Sequence, residues 1–193
     1  MVRTLFIIPK MYSQKQIKLI AKDLPPDFNE NHKEFWNYVK ERTSMLIGRI
    51  NRIYFDSLTE SGDEGLKIVI QDDDDAGEIV KLLMKSGAIL HCTEDKLLVG
   101  ETESWLSMIE TMNNETTVDM LQKNMKERNE YVYNLIDSTL KEGEMAILFI
   151  SPERKIDLSE DIKVVRICRF EPSDYLKSYL VQIDIRERKK NLK

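Results

Sequence analysis

Four stretches of this chain carry side chains able to do chemistry. His91-Cys92-Thr93-Glu94 sets an imidazole, a thiol and a carboxylate within four positions. An imidazole titrates near neutral pH and binds metals as the free base. A lone histidine at a strand end is more often a packed or hydrogen-bonded residue than a ligand, and that is the favoured reading of His91, although parallel sheets do hold ligands outside the carboxyl ends of their strands. His32, the other histidine, opens a helical stretch and reads as exposed. The run Asp72-Asp73-Asp74-Asp75 offers oxygen ligands to a hard cation. Adjacent carboxylates repel and point apart, and the alternative is a solvated turn that charges a helix N-terminus favourably. In Glu127-Arg128-Asn129-Glu130, Arg128 can hold a carboxylate or phosphate in its fork if it faces the strand ends. If it faces water, the default for a charged residue in a long helix, it joins i,i+4 charge pairs. The fourth is the basic tail, Arg186, Arg188, Lys189, Lys190 and Lys193, whose charge suits a helix C-terminus. GxGxxG, GxxxxGK[ST], GxSxG and HExxH are all missing.

These side chains need a scaffold, and the apolar pattern supplies one. Leu5–Ile8, Ile50–Phe55, Ala88–Cys92, Met145–Ile150 and Lys163–Cys168 are short apolar runs of the kind that build strands buried on both faces, the last nearer an edge. Leu66–Gln71 fits strand or helix. Between the strands the spacing predicts helices over Tyr12–Lys22, around Phe35–Leu46 with Asn29 or Asn31 as cap, and over Ala76–Ser86 with Asp75 and Glu78 as a loose capping box. Others follow after Thr93-Glu94-Asp95, over Thr116–Glu142, and after a Ser173 cap; Asn113-Asn114 separates two of them. Strands alternating with helices predict an α/β fold: one mostly parallel sheet covered by helices on both faces. The whole of 1–193 reads as one domain, with a basic helix end at about 184–193. Phe6, Ile8, Tyr54, Leu90, Leu135, Ile147 and Phe149 are the expected core.

The 193 residues are 41% hydrophobic and 33% charged, with a net charge of −5, ordinary for a folded domain and adverse to duplex nucleic acid as a partner. Two cysteines, Cys92 and Cys168, are too few for a disulfide framework. The apolar run at Leu5 is shorter than a signal-peptide core, and no stretch reaches the length of a membrane span. A cytoplasmic location, away from membranes, is the expectation.

Gly87–Asp95, Arg128-Asn129-Glu130-Tyr131-Val132 with Ile136-Asp137, Thr139–Ile150 and Ile53-Tyr54-Phe55-Asp56-Ser57 together resemble an uncharacterised archaeal and bacterial family. That family is itself similar to the TraB, ChaN and erythromycin-esterase-like group. The resemblance implies a first strand running into a histidine, an Arg-Asp pair in the long helix, and a later strand running into a glycine and a second histidine. Here those places hold Pro9-Lys10-Met11-Tyr12, Arg128-Asn129 and Ser151-Pro152-Glu153-Arg154. Arg128, Glu94 and Asp56 remain, with Glu101. Lysine, tyrosine and arginine do not replace histidine as a neutral base.

Three readings compete. One is a degenerate, non-catalytic member binding a small anionic ligand or a protein partner, with Arg128, Glu94, Asp56, Lys10 and Arg154 as ligand-binding residues and no metal or cofactor. Another is a hydrolase-like enzyme using the Glu94 and Asp56 carboxylates. The third is a homo-oligomeric structural protein joined through its long helix.

Overall fold

Short apolar runs alternating with amphipathic stretches can bury both faces of a sheet only if the strands run parallel and the helices cross over it. A computed structural model describes residues 2–21, 23–112 and 115–191, and the side chains of these except 110–112 and 184–191. Its strands are β1 (Arg3–Pro9), β2 (Arg52–Phe55), β3 (Ile89–Cys92), β4 (Met145–Ile150) and β5 (Ile162–Arg166). They form one sheet in the order β3-β2-β4-β1-β5, and every pairing is parallel. Among the described residues the helices are α1 (Gln14–Ile20), α2 (Phe28–Ser44), α3 (Gly62–Asp72), α4 (Asp74–Lys85), α5 (Lys96–Met112), α6 (Glu115–Thr139) and α7 (Pro172–Asn191). None of them is long and apolar enough to cross a membrane.

The period-two alternation of the strands divides the core. Ile8, Ile53, Phe55, Leu90, Ile147 and Phe149 point to one face, where α1, α2, α3, α4 and α7 bury Ile17, Phe35, Val69, Val80 and Tyr179 against them. Leu5, Ile7, Tyr54, Ala146, Leu148 and Ile150 point to the other, where α6 supplies Val132 and Ile136 and Leu140 follows just past its end. The second face has thinner cover. On it Ile89 and Val164, one on each edge strand, stay 51% and 44% exposed. Of the expected core, Phe6 and Leu135 are only half-buried; the other five are at most 1% exposed.

Local chemistry moves several boundaries. Neither Asn29 nor Asn31 caps α2. Asp27 holds the N-cap position without a side-chain bond to the helix, and its carboxylate instead accepts from the Tyr175 hydroxyl at 3.0 Å; buried Phe28 already follows the turn of Pro25-Pro26, its N–H reaching the Pro25 oxygen at 3.0 Å. Leu66–Gln71 is helical, within α3. The helix expected from Ala76 starts at Asp74: Asp73 accepts from the Ala76 N–H at 3.1 Å and takes the capping role. Asp75 and Glu78 instead hold Lys40, at 2.7 and 2.8 Å. The last helix starts one residue before Ser173, on Pro172, whose missing N–H costs nothing at a first helical position. Cys92 and Cys168 are half-buried, and Cys168 lies past the end of β5. Asn113-Asn114 and the side chains of the basic tail, Arg186, Arg188, Lys189, Lys190 and Lys193, fall outside the described residues.

Phe149 lies in β4, inside the sheet, with its ring centroid 5.4 Å from that of Phe55 and no exposed surface. Phe149→Ala should destabilise the protein by about 3–5 kcal/mol, the range for a large core aromatic whose cavity cannot collapse. Urea unfolding reads this directly, and a loss under about 1 kcal/mol is incompatible with the packing described.

Candidate functional site

Parallel strands deliver the residues that follow them to one edge of the sheet, where open α/β sheets hold their ligands. Asp56 follows β2, Glu94 follows β3 by two positions, and Ser151 and Arg154 follow β4. Backbone bonds continue the ladder past the strand ends. Asp56 N–H donates to the Phe149 oxygen at 2.8 Å, and Glu94 N–H to the Leu58 oxygen at 3.0 Å. Thr93, wholly buried, ties β2 to β3: its hydroxyl donates to the Phe55 oxygen and accepts from the Leu58 N–H. Ser57, next to Asp56, has φ of +68°, a left-handed backbone that a serine rarely adopts.

The fifth contribution comes from α6. Arg128, Val132, Ile136 and Leu140 are spaced four apart, so they share one helical face. The last three lie on the sheet, and Arg128 sits one turn beyond them, at the strand ends. Its guanidinium makes a two-pronged contact with Glu94, Nε to Oε2 and Nη2 to Oε1, both at 2.8 Å. Its side chain is 12% exposed and that of Glu94 0%. The default expectation of a water-facing Arg128 is therefore corrected.

Arg154 closes the group. Nη1 bonds both the Asp56 and Glu94 carboxylates, and Nε donates to the Asn129 oxygen at 2.8 Å. Asp56 also accepts the Ser151 N–H at 3.0 Å and the Ser151 hydroxyl. Two buried carboxylates thus share two guanidiniums. Burial alone would raise the Asp56 pKa, but the charge of Arg154, the Ser151 hydroxyl and the charge of Lys10 together hold it below the ordinary carboxylate value. Arg128 is held more firmly protonated than a free arginine, its hydrogen bonds to Glu94 outweighing the effect of burial.

Four of the five expected residues, Arg128, Glu94, Asp56 and Arg154, therefore form one connected group. Lys10 stands at its rim. Its ammonium reaches Asp72 at 3.4 Å and the main-chain oxygen of Asp56 at 3.5 Å, and lies over the Phe55 ring. Glu101 joins through Asn124, which donates to it at 3.1 Å and accepts from Thr102, itself 3.1 Å from Arg128. Thr93, Thr102, Asn124, Asn129 and Ser151 were not among the expected site residues. Asn124 had a readable signal, since it continues the four-residue spacing of Arg128 and Val132 by one more turn.

His91 lies elsewhere. Its ring stacks on Tyr54 at 5.4 Å, on the α6 side of the sheet, and its buried Nε2 has no partner among the described residues. Burial, with the charge of Arg52 adding to it, lowers its pKa, so the ring is neutral at pH 7. Of the four aspartates, Asp72 meets Lys10, Asp73 caps α4 and Asp75 meets Lys40, while Asp74 is exposed in the first turn of α4. Among the described residues no three His, Cys, Asp or Glu side chains converge to hold a metal ion.

The group forms one wall of a cleft of about 450 Å³, lined by Asp56, Ser57, Met125, Asn129, Arg154 and Lys155 among others. Lys155 is exposed there and has no ion-pair partner among the described residues. Among the described residues Arg154 Nη2 is buried and finds no hydrogen-bond partner, so this guanidinium keeps an unmet donor.

Arg128→Ala should destabilise the protein by about 2 kcal/mol or more. Leaving a buried charge wholly unpaired costs about 3–5 kcal/mol, and Arg154 still faces Glu94 here. Lys126→Ala on the same helix, where the lysine side chain is 79% exposed, should change stability by about 0.5 kcal/mol at most. Equal effects in thermal or urea unfolding would remove the ion pair from any structural role. Asp56 gives a pH test. Its folded pKa is depressed, so its stabilisation is present above about pH 4 and is lost as pH falls through the folded value. Asp56→Asn should be less stable than the wild type at pH 7, and the gap should narrow at pH 3. Comparison of the chain with family models, with curated proteins and with solved structures gave no match.

Proposed function

We propose that this protein is a non-catalytic relative of the TraB, ChaN and erythromycin-esterase-like group, and that it binds a small anionic ligand at the carboxyl edge of its sheet. The observation that carries this reading is the arginine pair at the cleft. Arg128 and Arg154 both bond Glu94, Arg154 also bonds Asp56 and has a donor left over, and Lys155 beside it has no ion-pair partner among the described residues. Guanidiniums held in this way are preorganised for a carboxylate or phosphate, because their geometry is fixed before the ligand arrives.

The hydrolase reading has less support. A general acid must be protonated near working pH. Asp56 is held ionised. Glu94 has both oxygens engaged by arginines. The histidines that the resemblance implies are replaced. Self-association through the long helix is favoured by one observation, the exposed Leu97, Leu106, Met108 and Met120 on the α5–α6 hairpin. Light scattering that finds only monomer at high concentration removes it.

Inorganic phosphate tests the main reading. Calorimetric titration of the full chain should show one site, with binding weakened about tenfold in Lys155→Ala and lost in Arg154→Gln. Thermal midpoints should rise with phosphate by mass action, more in the wild type than in either variant. No heat of binding at millimolar phosphate, or equal binding by all three proteins, rejects the proposal.

A further inference from the structure

A second cleft, of about 200 Å³, adjoins the first. Its floor is apolar: Ile7 from β1, Leu148 and Ile150 from β4, and Ile156 and Leu158 from the segment that follows β4. The two clefts have Ser151, Arg154 and Lys155 in common. The lower cleft exists because α6 covers only part of its face of the sheet. The segment after β4 returns across the uncovered part and packs Ile156 and Leu158 against it without filling it.

Resting on the anion-binding reading, we infer that the ligand is an amphiphilic carboxylate: its charged end lies at Arg154 and Lys155, and its hydrocarbon body enters the apolar cleft. Three observations converge on this class. The buried Nη2 of Arg154 lacks an acceptor among the described residues, and an unmet buried donor is unfavourable. Lys155 is the cation on the shared wall with no carboxylate of its own among the described residues. Arg166, the other cation at this cleft, is held by Glu171 at 2.7 and 2.8 Å, so the available positive charge gathers at the end where the clefts meet. The floor then sets the body. An apolar cavity of about 150 Å³ accommodates benzene, so this one suits an alkyl or aryl group of about six to eight carbons. A phosphate or a short hydroxy acid would leave that floor bare.

The test is a ligand series on the full chain by calorimetry, with acetate, hexanoate, benzoate, 1-hexanol and inorganic phosphate as probes. Hexanoate and benzoate should bind at least about tenfold more tightly than acetate, since each buried methylene adds to affinity. 1-Hexanol should bind at least about tenfold more weakly than hexanoate. Leu158→Trp, which fills the cleft, should abolish the advantage of hexanoate over acetate and leave phosphate binding unchanged. Should that variant not fold, Lys155→Ala serves: it should weaken hexanoate and leave 1-hexanol unaffected. If phosphate binds but hexanoate is no tighter than acetate, the inference falls and the anion site stands. If 1-hexanol matches hexanoate, the carboxylate assignment is overturned. If neither phosphate nor hexanoate binds, both the inference and the anion-binding reading are rejected.

Discussion

The side chain of Glu94 has no exposed surface, and much of the molecule's upper edge is arranged around that fact. A carboxylate removed from water must be neutralised or matched by opposite charge with well-aligned hydrogen bonds. Here two guanidiniums match it, one from the long helix and one from the segment after β4. Asp56, nearly as buried, shares the second of them. Each charge is acceptable only because the others are present, so the helix and the three loops that carry them have little freedom to move singly.

Helix length places the partner. At 25 residues, α6 is about 37 Å long, whereas the six residues of β4 span about 20 Å. Only the last third, from Val132 onward, lies on the sheet. The part before it overshoots the strand ends, and α5 packs along it. Where the helix passes the edge, its sheet-facing stripe changes from Val132, Ile136 and Leu140 to Arg128 and Asn124. The change from apolar to polar falls where the neighbour changes from sheet to loop ends. The same single helix leaves Ile89 and Val164 uncovered on the edge strands.

Much of the fold was legible because parallel strands buried on both faces need continuous apolar runs, and Met145–Ile150 shows one plainly. The helix caps were less legible. Asp73 rather than Asp75 caps α4 because Lys40, 33 residues earlier than Asp73 in the chain, captures Asp75 and Glu78, and a local pattern carries no trace of that. At the site, Glu94 and Asp56 could be picked out as polar residues just past strands. Arg128 was legible in principle through its spacing from Val132, yet a long helix with many charges makes solvent the default for any one of them. Strand order, with β4 placed between β2 and β1, leaves no local signature. Without it nothing showed that Arg154 reaches both carboxylates.

That network also bears on the order in which the chain can fold. Arg154 is separated from Glu94 by 60 positions and from Asp56 by 98, and Arg128 from Glu94 by 34. Contacts of such span require large loops to close before they return any stabilisation. The hairpin of α5 and α6 and the α3–α4 pair are local and can form early. The ion-pair group cannot, because its last member comes from the segment after β4, the fourth of five strands. Until that segment docks, Asp56 and Glu94 remain hydrated, and the upper edge of the sheet stays open to water and to other chains. The charged group is thus a late checkpoint of assembly: it becomes whole only when β4 has taken its place between β2 and β1.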